Sequence, residues 1–245
     1  MQDHEENPRS VRVDGIAGLA ATPERVELRR LAAAMRAITT RLVSTTAEPD
    51  ELADAATQLE AIAESLSQLP VGHTYEGFSE AANAGAAMRA MAQMRDEDDP
   101  ERFGFFDHSP LIGLSNPLSP PMIMDHDPAD STMLRASVNF GPAYEGPPGC
   151  VHGGYVAAIF DELLGATQSL SGIQGMTAHL EIDYRSPTPL GEDLRLRGWL
   201  DGTEGRKIWA RATLHAGDRL CAEAMALFLA FRPGTFEEML QARDG

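Results

Sequence analysis

Residues 145–165 read Glu-Gly-Pro-Pro-Gly-Cys-Val-His-Gly-Gly-Tyr-Val-Ala-Ala-Ile-Phe-Asp-Glu-Leu-Leu-Gly, and this stretch decides the fold. Its first half predicts a loop, because two prolines and a glycine interrupt any helical hydrogen-bond ladder. After Gly153 and Gly154, apolar residues recur at the 3.6-residue spacing of a helix. These residues are Val156, Ile159, Phe160, Leu163 and Leu164. The stretch therefore predicts a loop that leads into one apolar helix.

The start of this helix is suited to bind an oxygen that carries negative charge. The first N–H groups of a helix have no partner within it and lie at the positive end of its dipole. Glycine adds no side chain that would block an approaching ligand. His152 stands beside the two glycines, and Asp161 interrupts the apolar helix eight residues after Gly153. Together these groups indicate an acyl-transfer site.

The order of these motifs resembles a known family. His152-Gly153-Gly154, followed by six residues and Asp161, is similar to the acidic signature of hotdog-fold acyl-CoA thioesterases, and within them to the thioesterase superfamily member 4 branch. The resemblance extends from about Phe105 to Arg232. Besides the helix it includes Glu145 to Gly149, Met176 to Arg185, Pro187 to Leu190 and Glu204 to Lys207. Four segments in the right order make the resemblance specific.

The resemblance implies an α+β hotdog fold, in which an antiparallel sheet wraps around a central helix and the protein dimerises. The residue pattern agrees with that fold. Alternating apolar residues predict strands at 134–140, 178–184, 193–201, 206–216 and 219–231. One long helix followed by successive hairpin strands favours an antiparallel sheet with one face on the helix.

The chain divides into three parts in this interpretation. Residues 1–21 are expected to be a flexible tail, residues 22–98 an N-terminal helical extension, and residues 99–245 the hotdog thioesterase domain. Within the extension, leucine-rich periods predict a helical hairpin, and an alanine-rich run at 79–94 predicts a third helix. The extension is interpreted as a structural appendage that covers the main domain, with self-association or a partner contact as the alternative.

Composition limits the remaining possibilities. A net charge of −17 argues against nonspecific binding to nucleic acid or to an anionic membrane. Two cysteines do not make a disulfide framework. The first residues do not resemble a signal peptide, and no apolar run approaches the roughly 20 residues of a membrane span. A cytoplasmic location is therefore expected.

Helix geometry separates the two main candidate groups. Eight residues span about 12 Å along a helix, whereas a catalytic hydrogen bond needs about 3 Å. Gly153 and Asp161 therefore cannot act on one thioester within one subunit. A homodimer with antiparallel central helices brings Asp161 of one chain near Gly153 of the other, and the resemblance implies the same composite site. A homodimer or a dimer of dimers is expected.

Thioester chemistry suggests a role for each residue. The N–H of Gly153 would bind the carbonyl oxygen as its negative charge develops. His152 would orient that loop or donate a second hydrogen bond. Asp161 would act as a general base on water or as a nucleophile that forms an anhydride, and the sequence does not separate these. Thr177, at a position where the family carries Ser or Thr, would hold the attacking water; the alternative is an ordinary β-branched strand residue.

Binding of coenzyme A requires local cations in this acidic chain. Arg185, Arg206 and Lys207 are the candidates for its phosphates, and Gly154 is expected to contact it at the helix start. Lys207 is the only lysine in the chain. Ordinary solvated strand ends are the alternative interpretation of these cations. Coenzyme A is part of the substrate, and no separate cofactor or metal is expected.

Two other chemistries receive less support from the residues. Cys150 lies two residues before His152, which suggests a Cys/His nucleophile, but cysteine is more often a small apolar residue. His179, Glu181 and Asp183 share one strand face and suggest a metal site, but no second segment supplies ligands.

The favoured function is hydrolysis of fatty acyl-CoA, of medium to long chain, to free acid and CoA. A non-catalytic acyl-CoA-binding or lipid-binding hotdog regulator is the alternative. A hotdog dehydratase is a weaker one, because that chemistry generally needs a histidine paired with a carboxylate on the helix, whereas His152 precedes it.

Overall fold

A computed structural model describes residues 22–70, 107–127, 129–130, 132–173 and 175–232. Its helices are α1 (Pro23–Leu42), α2 (Pro49–Ser67) and α3 (Gly153–Gln168). Its strands are β1 (Ile123–His126), β2 (Met133–Asn139), β3 (Gly175–Tyr184), β4 (Asp193–Glu204), β5 (Lys207–Ala216) and β6 (Arg219–Ala230). The predicted tail at 1–21 and the predicted helix at 79–94 lie outside the described residues.

The six strands form one antiparallel sheet in the order β1-β2-β4-β5-β6-β3. Helix α3 lies on one face of this sheet and contacts β2 to β6. The predicted α+β hotdog architecture is therefore confirmed. Strand β3, which directly follows the helix, lies at an edge of the sheet and pairs with β6 alone.

The core combines large side chains from the helix with small ones from the sheet. Ile159, Phe160, Leu163 and Leu164 of α3 are fully buried. The strands β5 and β6 face them with buried alanines, namely Ala210, Ala212, Ala222, Ala224 and Ala226. On β4, a Cβ atom at Gly198 would lie 2.4 Å from the Thr167 hydroxyl. The helix therefore packs very close to the sheet, which leaves its position little freedom.

Helix α1 is tied to the loop at 107–119 by charge. Arg25 and Arg29 form ion pairs with the fully buried Asp107 at 3.1 Å and 2.9 Å. Burial raises the pKa of Asp107, against the opposing effect of Arg29 and Arg25. Arg36 donates from the same helix to the backbone carbonyl of Leu114 at 3.1 Å. A segment remote in sequence thus anchors α1 to the sheet domain.

The two N-terminal helices occur where the sequence predicts them. Helix α2 has no buried residue, and Leu66 alone of its side chains is partly covered within the described ranges. The division of the chain at about residue 98 stays a prediction. None of the helices in the described ranges combines the length and apolar character that a bilayer crossing requires.

Candidate active site

A tight turn delivers the chain to the start of α3. Glu145 and Val151 pair across it, and the N–H of Gly146 donates to the Cys150 carbonyl at 2.9 Å. A side chain at Gly146 would place its Cβ 2.7 Å from the Cα of His152. Gly149 has φ +73°, which favours glycine, and its N–H donates to the Glu145 carboxylate at 2.7 Å. The turn thereby sets the position of His152.

His152 caps the N-terminus of α3. Its Nδ1 accepts the Gly154 N–H at 3.0 Å, and its backbone N–H donates to the Tyr144 carbonyl at 2.9 Å. Of the two roles predicted for His152, the hydrogen bond with Gly154 favours orientation of the loop over donation to the substrate. The N–H of Gly154 already donates to His152. The contact of Gly154 with coenzyme A stays a prediction, and it would have to be made by another atom of Gly154.

Gly153 presents the donor that an oxyanion needs. Within the part of the chain that the structure describes, no group accepts a hydrogen bond from its N–H. Its carbonyl accepts from the Tyr184 hydroxyl at 2.9 Å. The sequence predicts Tyr184 only as part of the strand at 178–184. The sequence feature that indicates its contact with the helix start is an aromatic side chain with a polar hydroxyl at the end of a strand.

Asp161 and Thr177 meet halfway along the helix. The Thr177 hydroxyl donates to Oδ1 of Asp161 at 2.9 Å, and both residues are exposed. A hydroxyl that donates its proton keeps its lone pairs, so Thr177 can also accept a hydrogen bond from a water molecule. The structure thus brings together the predicted carboxylate and the predicted water-binding hydroxyl within one chain.

A β-bulge in β3 turns Thr177 towards the helix. Thr177 pairs with Phe228, whereas His179 pairs with Leu227, so Ala178 is left without a partner in β6. Directly opposite residues of an antiparallel pair face the same side of the sheet. Phe228 is buried on the side of α3, and Thr177 joins it there. In a regular strand Thr177 would share the face of His179 and point away from Asp161.

The two hydrogen bonds show that α3 and β3 run antiparallel. Thr177, near the start of the strand, meets Asp161, and Tyr184, at its end, meets Gly153. Within one chain, the oxyanion donor and the carboxylate are therefore held apart along the helix, by about 12 Å for eight residues, as the helix geometry predicts.

Glu162 lies beside Asp161 but turns towards the loop at 107–119. The Ser109 hydroxyl donates to Oε1 of Glu162 at 3.4 Å. Burial, reinforced by the charge of Asp161, raises the pKa of Glu162 from 4.5 to about 7, although the Ser109 hydrogen bond opposes this. Glu162 thus contacts a different segment of the chain from Asp161, which accepts its hydrogen bond from Thr177.

The predicted phosphate-binding cations fall into two groups. Lys207 pairs with Leu229, which in turn pairs with Met176, so the start of β5 lies at the Thr177 end of β3. Arg206 donates there to the Ala230 carbonyl at 2.7 Å. The Lys207 ammonium lies 5.9 Å from the centre of the Trp209 ring.

Arg185 lies at the opposite end, directly after Tyr184. Its guanidinium pairs with Asp183 and Glu223. One chain therefore does not bring Arg185 together with the cations at the start of β5.

The structure also describes the residues of the predicted Cys/His nucleophile and of the predicted metal site. Cys150 is partly buried in the turn before His152. Within residues 175–232 and the other described ranges, no group of three or more His, Cys, Asp or Glu side chains could hold a metal ion.

The chain is similar to known proteins in both sequence and structure. The sequence model of the thioesterase superfamily matches residues 148–223, from the turn before α3 into β6. A crystal structure of a thioesterase superfamily protein is similar, with a TM-score of 0.66 and 28% identity, over 82% of this chain and 94% of that one. Over residues 148–223 the chain is therefore similar to the thioesterase superfamily, and it has the hotdog fold.

Its curated relatives are named acyl-coenzyme A thioesterases. THEM4 of Xenopus laevis is 38% identical over 95 residues, which are 38% of this chain and 43% of the relative. THEM4 of Rattus norvegicus is 40% identical over 91 residues, 36% of this chain and 39% of the relative. THEM5 of Homo sapiens is 32% identical over 91 residues, 36% of this chain and 37% of the relative. The chain thus matches less than half the length of these relatives.

Proposed function

We propose that this protein is an acyl-CoA thioesterase that hydrolyses fatty acyl-CoA of medium to long chain to free acid and CoA. The observation that carries the proposal is the 2.9 Å hydrogen bond between Thr177 and Asp161, on a helix whose first N–H, at Gly153, has no acceptor within the described residues. The names of the curated relatives support the same chemistry.

The active site is composite and lies between two protomers. Strand β3 is an edge of the sheet, so its outer N–H and C=O groups are available to pair with a second chain. Antiparallel pairing of β3 with its copy places the Thr177 end of one strand beside the Tyr184 end of the other. Asp161 of one protomer then approaches Gly153 of its partner, which one chain alone cannot achieve.

The same pairing gathers the cations. Arg206 and Lys207 lie at the Thr177 end of β3 and Arg185 at the Tyr184 end. Across a two-fold axis these ends meet, so each composite site receives all three side chains from the two protomers. This supports the proposed contact of Arg206 and Lys207 with the phosphates of CoA, whereas Arg185 would have to exchange its pairing with Asp183 and Glu223 for a phosphate.

In the proposed reaction, the N–H of Gly153 donates to the thioester oxygen and stabilises the negative charge that develops on it. His152 keeps that helix start in place. On the other protomer, Thr177 accepts a hydrogen bond from water, and Asp161 takes its proton as the water attacks the carbonyl carbon. Alternatively Asp161 attacks directly and forms an anhydride that water then hydrolyses. Either route releases the CoA thiol.

Mixed dimers test the composite site. Asp161→Asn and Gly153→Val chains should each be inactive alone. In a heterodimer of the two, one site combines the intact Asp161 of one chain with the intact Gly153 of the other. Random mixing makes about half of the dimers mixed, each with one good site, so up to about a quarter of wild-type activity should return.

Each component of this experiment needs its own control. A Cβ at Gly153 would meet the Tyr184 hydroxyl at 3.5 Å, an ordinary contact, so Gly153→Ala serves as the milder variant if Gly153→Val does not fold. Verified heterodimers that stay inactive would show that the two residues do not meet across the interface. Bound acyl-CoA without any thiol release by the wild type would instead establish the non-catalytic regulator.

A further inference from the structure

The sheet face opposite α3 carries a basic groove. It has a volume of about 960 Å³ and crosses strands β1, β2, β4 and β5. Arg135, Arg195 and Arg197 line it together with Trp199. This concentration of guanidinium groups stands out in a chain with 20 lysines and arginines against 37 acidic residues.

The register of the strands brings like charges together in this groove. Arg135 of β2 lies directly opposite Arg197 of β4. Like charges in directly opposite positions destabilise a sheet. An anion between them would remove that repulsion.

The three arginines differ in the hydrogen bonds and ion pairs that their guanidinium groups already form within the protein. Arg195 donates to the Gly217 carbonyl at 2.7 Å, which leaves its charge in place. Arg135 pairs with Asp127 at the long distance of 3.6 Å. Arg197 is exposed and has no hydrogen bond or ion pair with the described residues. Asp125 and Asp218 also line the groove. The positive charge open to a ligand is therefore that of Arg195 and Arg197, which form no ion pair with the described residues.

We propose that this groove binds a nucleoside diphosphate, with its phosphates on the arginines and its base against Trp199. Alternate residues of a strand point to the same face at intervals of about 7 Å. Strand β4 therefore presents Arg195, Arg197 and Trp199 in a row, which matches two phosphates followed by a base. Guanidinium forks suit phosphate oxygens, and a tryptophan face stacks on a base.

This groove is distinct from the thioester site, so the inference does not rest on the proposed function. The groove lies on the face away from α3, whereas Asp161 and Thr177 meet on the helix side. Strand β4 is three strands from β3, or about 14 Å at the usual spacing between strands.

Tryptophan fluorescence gives a local readout. The chain has two tryptophans, so Trp209→Phe leaves Trp199 as the single reporter. Titration with ADP should quench its emission in a saturable way. Pyrophosphate should compete with ADP without quenching, because it has no base to stack. Arg197→Gln should weaken ADP binding at least tenfold, and added salt should weaken it in the parent protein.

Two controls locate the ligand. Arg30→Gln, whose guanidinium pairs with Glu27 at 2.7 Å on helix α1, removes one charge away from the groove and should bind ADP as the parent does. If Arg197→Gln fails to fold by circular dichroism, Arg135→Gln replaces it. Absence of saturable ADP binding by both fluorescence and calorimetry overturns the proposal. So does ADP binding that is insensitive to Arg197→Gln but lost in an Arg206→Ala/Lys207→Ala variant, because the nucleotide then occupies the CoA site.

Discussion

Glu162 should make the stability of this protein depend on pH. The folded protein raises the pKa of its carboxyl from 4.5 to about 7, mainly by burial. The folded state therefore holds this proton more tightly than the unfolded state does. Glu162 contributes stability that is complete below about pH 4.5 and is lost as the pH rises through about 7. Glu162→Gln keeps a neutral side chain of the same shape and escapes this loss.

The size of the effect follows from the two pKa values. Linkage between proton binding and folding gives a loss of about 2 kcal/mol in the unfolding free energy of the wild type between pH 5.5 and pH 8.5. The hydrogen bond from Ser109 can be retained, because the amide oxygen of glutamine also accepts. Relative to the wild type, Glu162→Gln should therefore gain about 2 kcal/mol over this range.

Urea unfolding, followed by far-ultraviolet circular dichroism at pH 5.5, 7 and 8.5 and at one protein concentration, measures this difference. Glu181→Gln is the matched control, since Glu181 is an exposed carboxylate on the neighbouring strand β3. The control should follow the wild type at every pH. A difference between Glu162→Gln and wild type that stays constant within about 0.5 kcal/mol across the range would refute the reasoning.

Three further variants test the proposed site. Asp161→Asn should reduce kcat at least ~10²-fold while the dimer persists, because only charge is removed. Arg206→Ala combined with Lys207→Ala should raise KM for acyl-CoA and weaken its salt dependence, but should leave a short acyl-pantetheine unaffected. Tyr184→Phe removes the donor to the Gly153 carbonyl, so the unfolding free energy should fall by about 1 kcal/mol. Its kcat should fall more than its affinity for acyl-CoA, as steady-state kinetics would show.

Each of these predictions has an opposing outcome. Activity of Asp161→Asn within threefold of wild type, with Glu181→Gln also active, would remove Asp161 from the chemistry. Equal losses with acyl-CoA and acyl-pantetheine would place the CoA phosphates elsewhere than on Arg206 and Lys207. Unchanged stability and kinetics of Tyr184→Phe would mean that its hydroxyl does not hold the helix start.

The sequence predicts the fold well because its periods are unambiguous. The apolar residues of α3 and the alternating residues of the last three strands each predict an element with one buried face. In the structure these elements begin and end within a few residues of the predicted positions. The anchoring of α1 was not predictable in this way. Arg25 and Arg29 meet Asp107 across about eighty positions of the chain, and no local period encodes such a contact.

The sequence predicts those residues of the candidate site that lie on one continuous element. His152, Gly153 and Asp161 follow from the turn and the helix, whose geometry is regular. Arg185 shows the limit of such inference, since the sequence marks it as a cation while the fold pairs it with Asp183 and Glu223. Charge in a sequence is formal, whereas the charge available to a ligand depends on which carboxylates the fold brings near.

Thr177 shows most directly how one irregularity determines a site. Strict alternation along β3 would place its hydroxyl with His179, on the face away from α3. The unpaired Ala178 reverses the facing of the strand residues before it, Thr177 among them, and the hydroxyl then reaches Asp161 at 2.9 Å. The next residues, from His179 to Tyr184, resume regular pairing with β6 along the edge of the sheet. The bulge thus lets one strand donate a side chain to the helix while it keeps the regular outer edge that a second protomer would need for pairing.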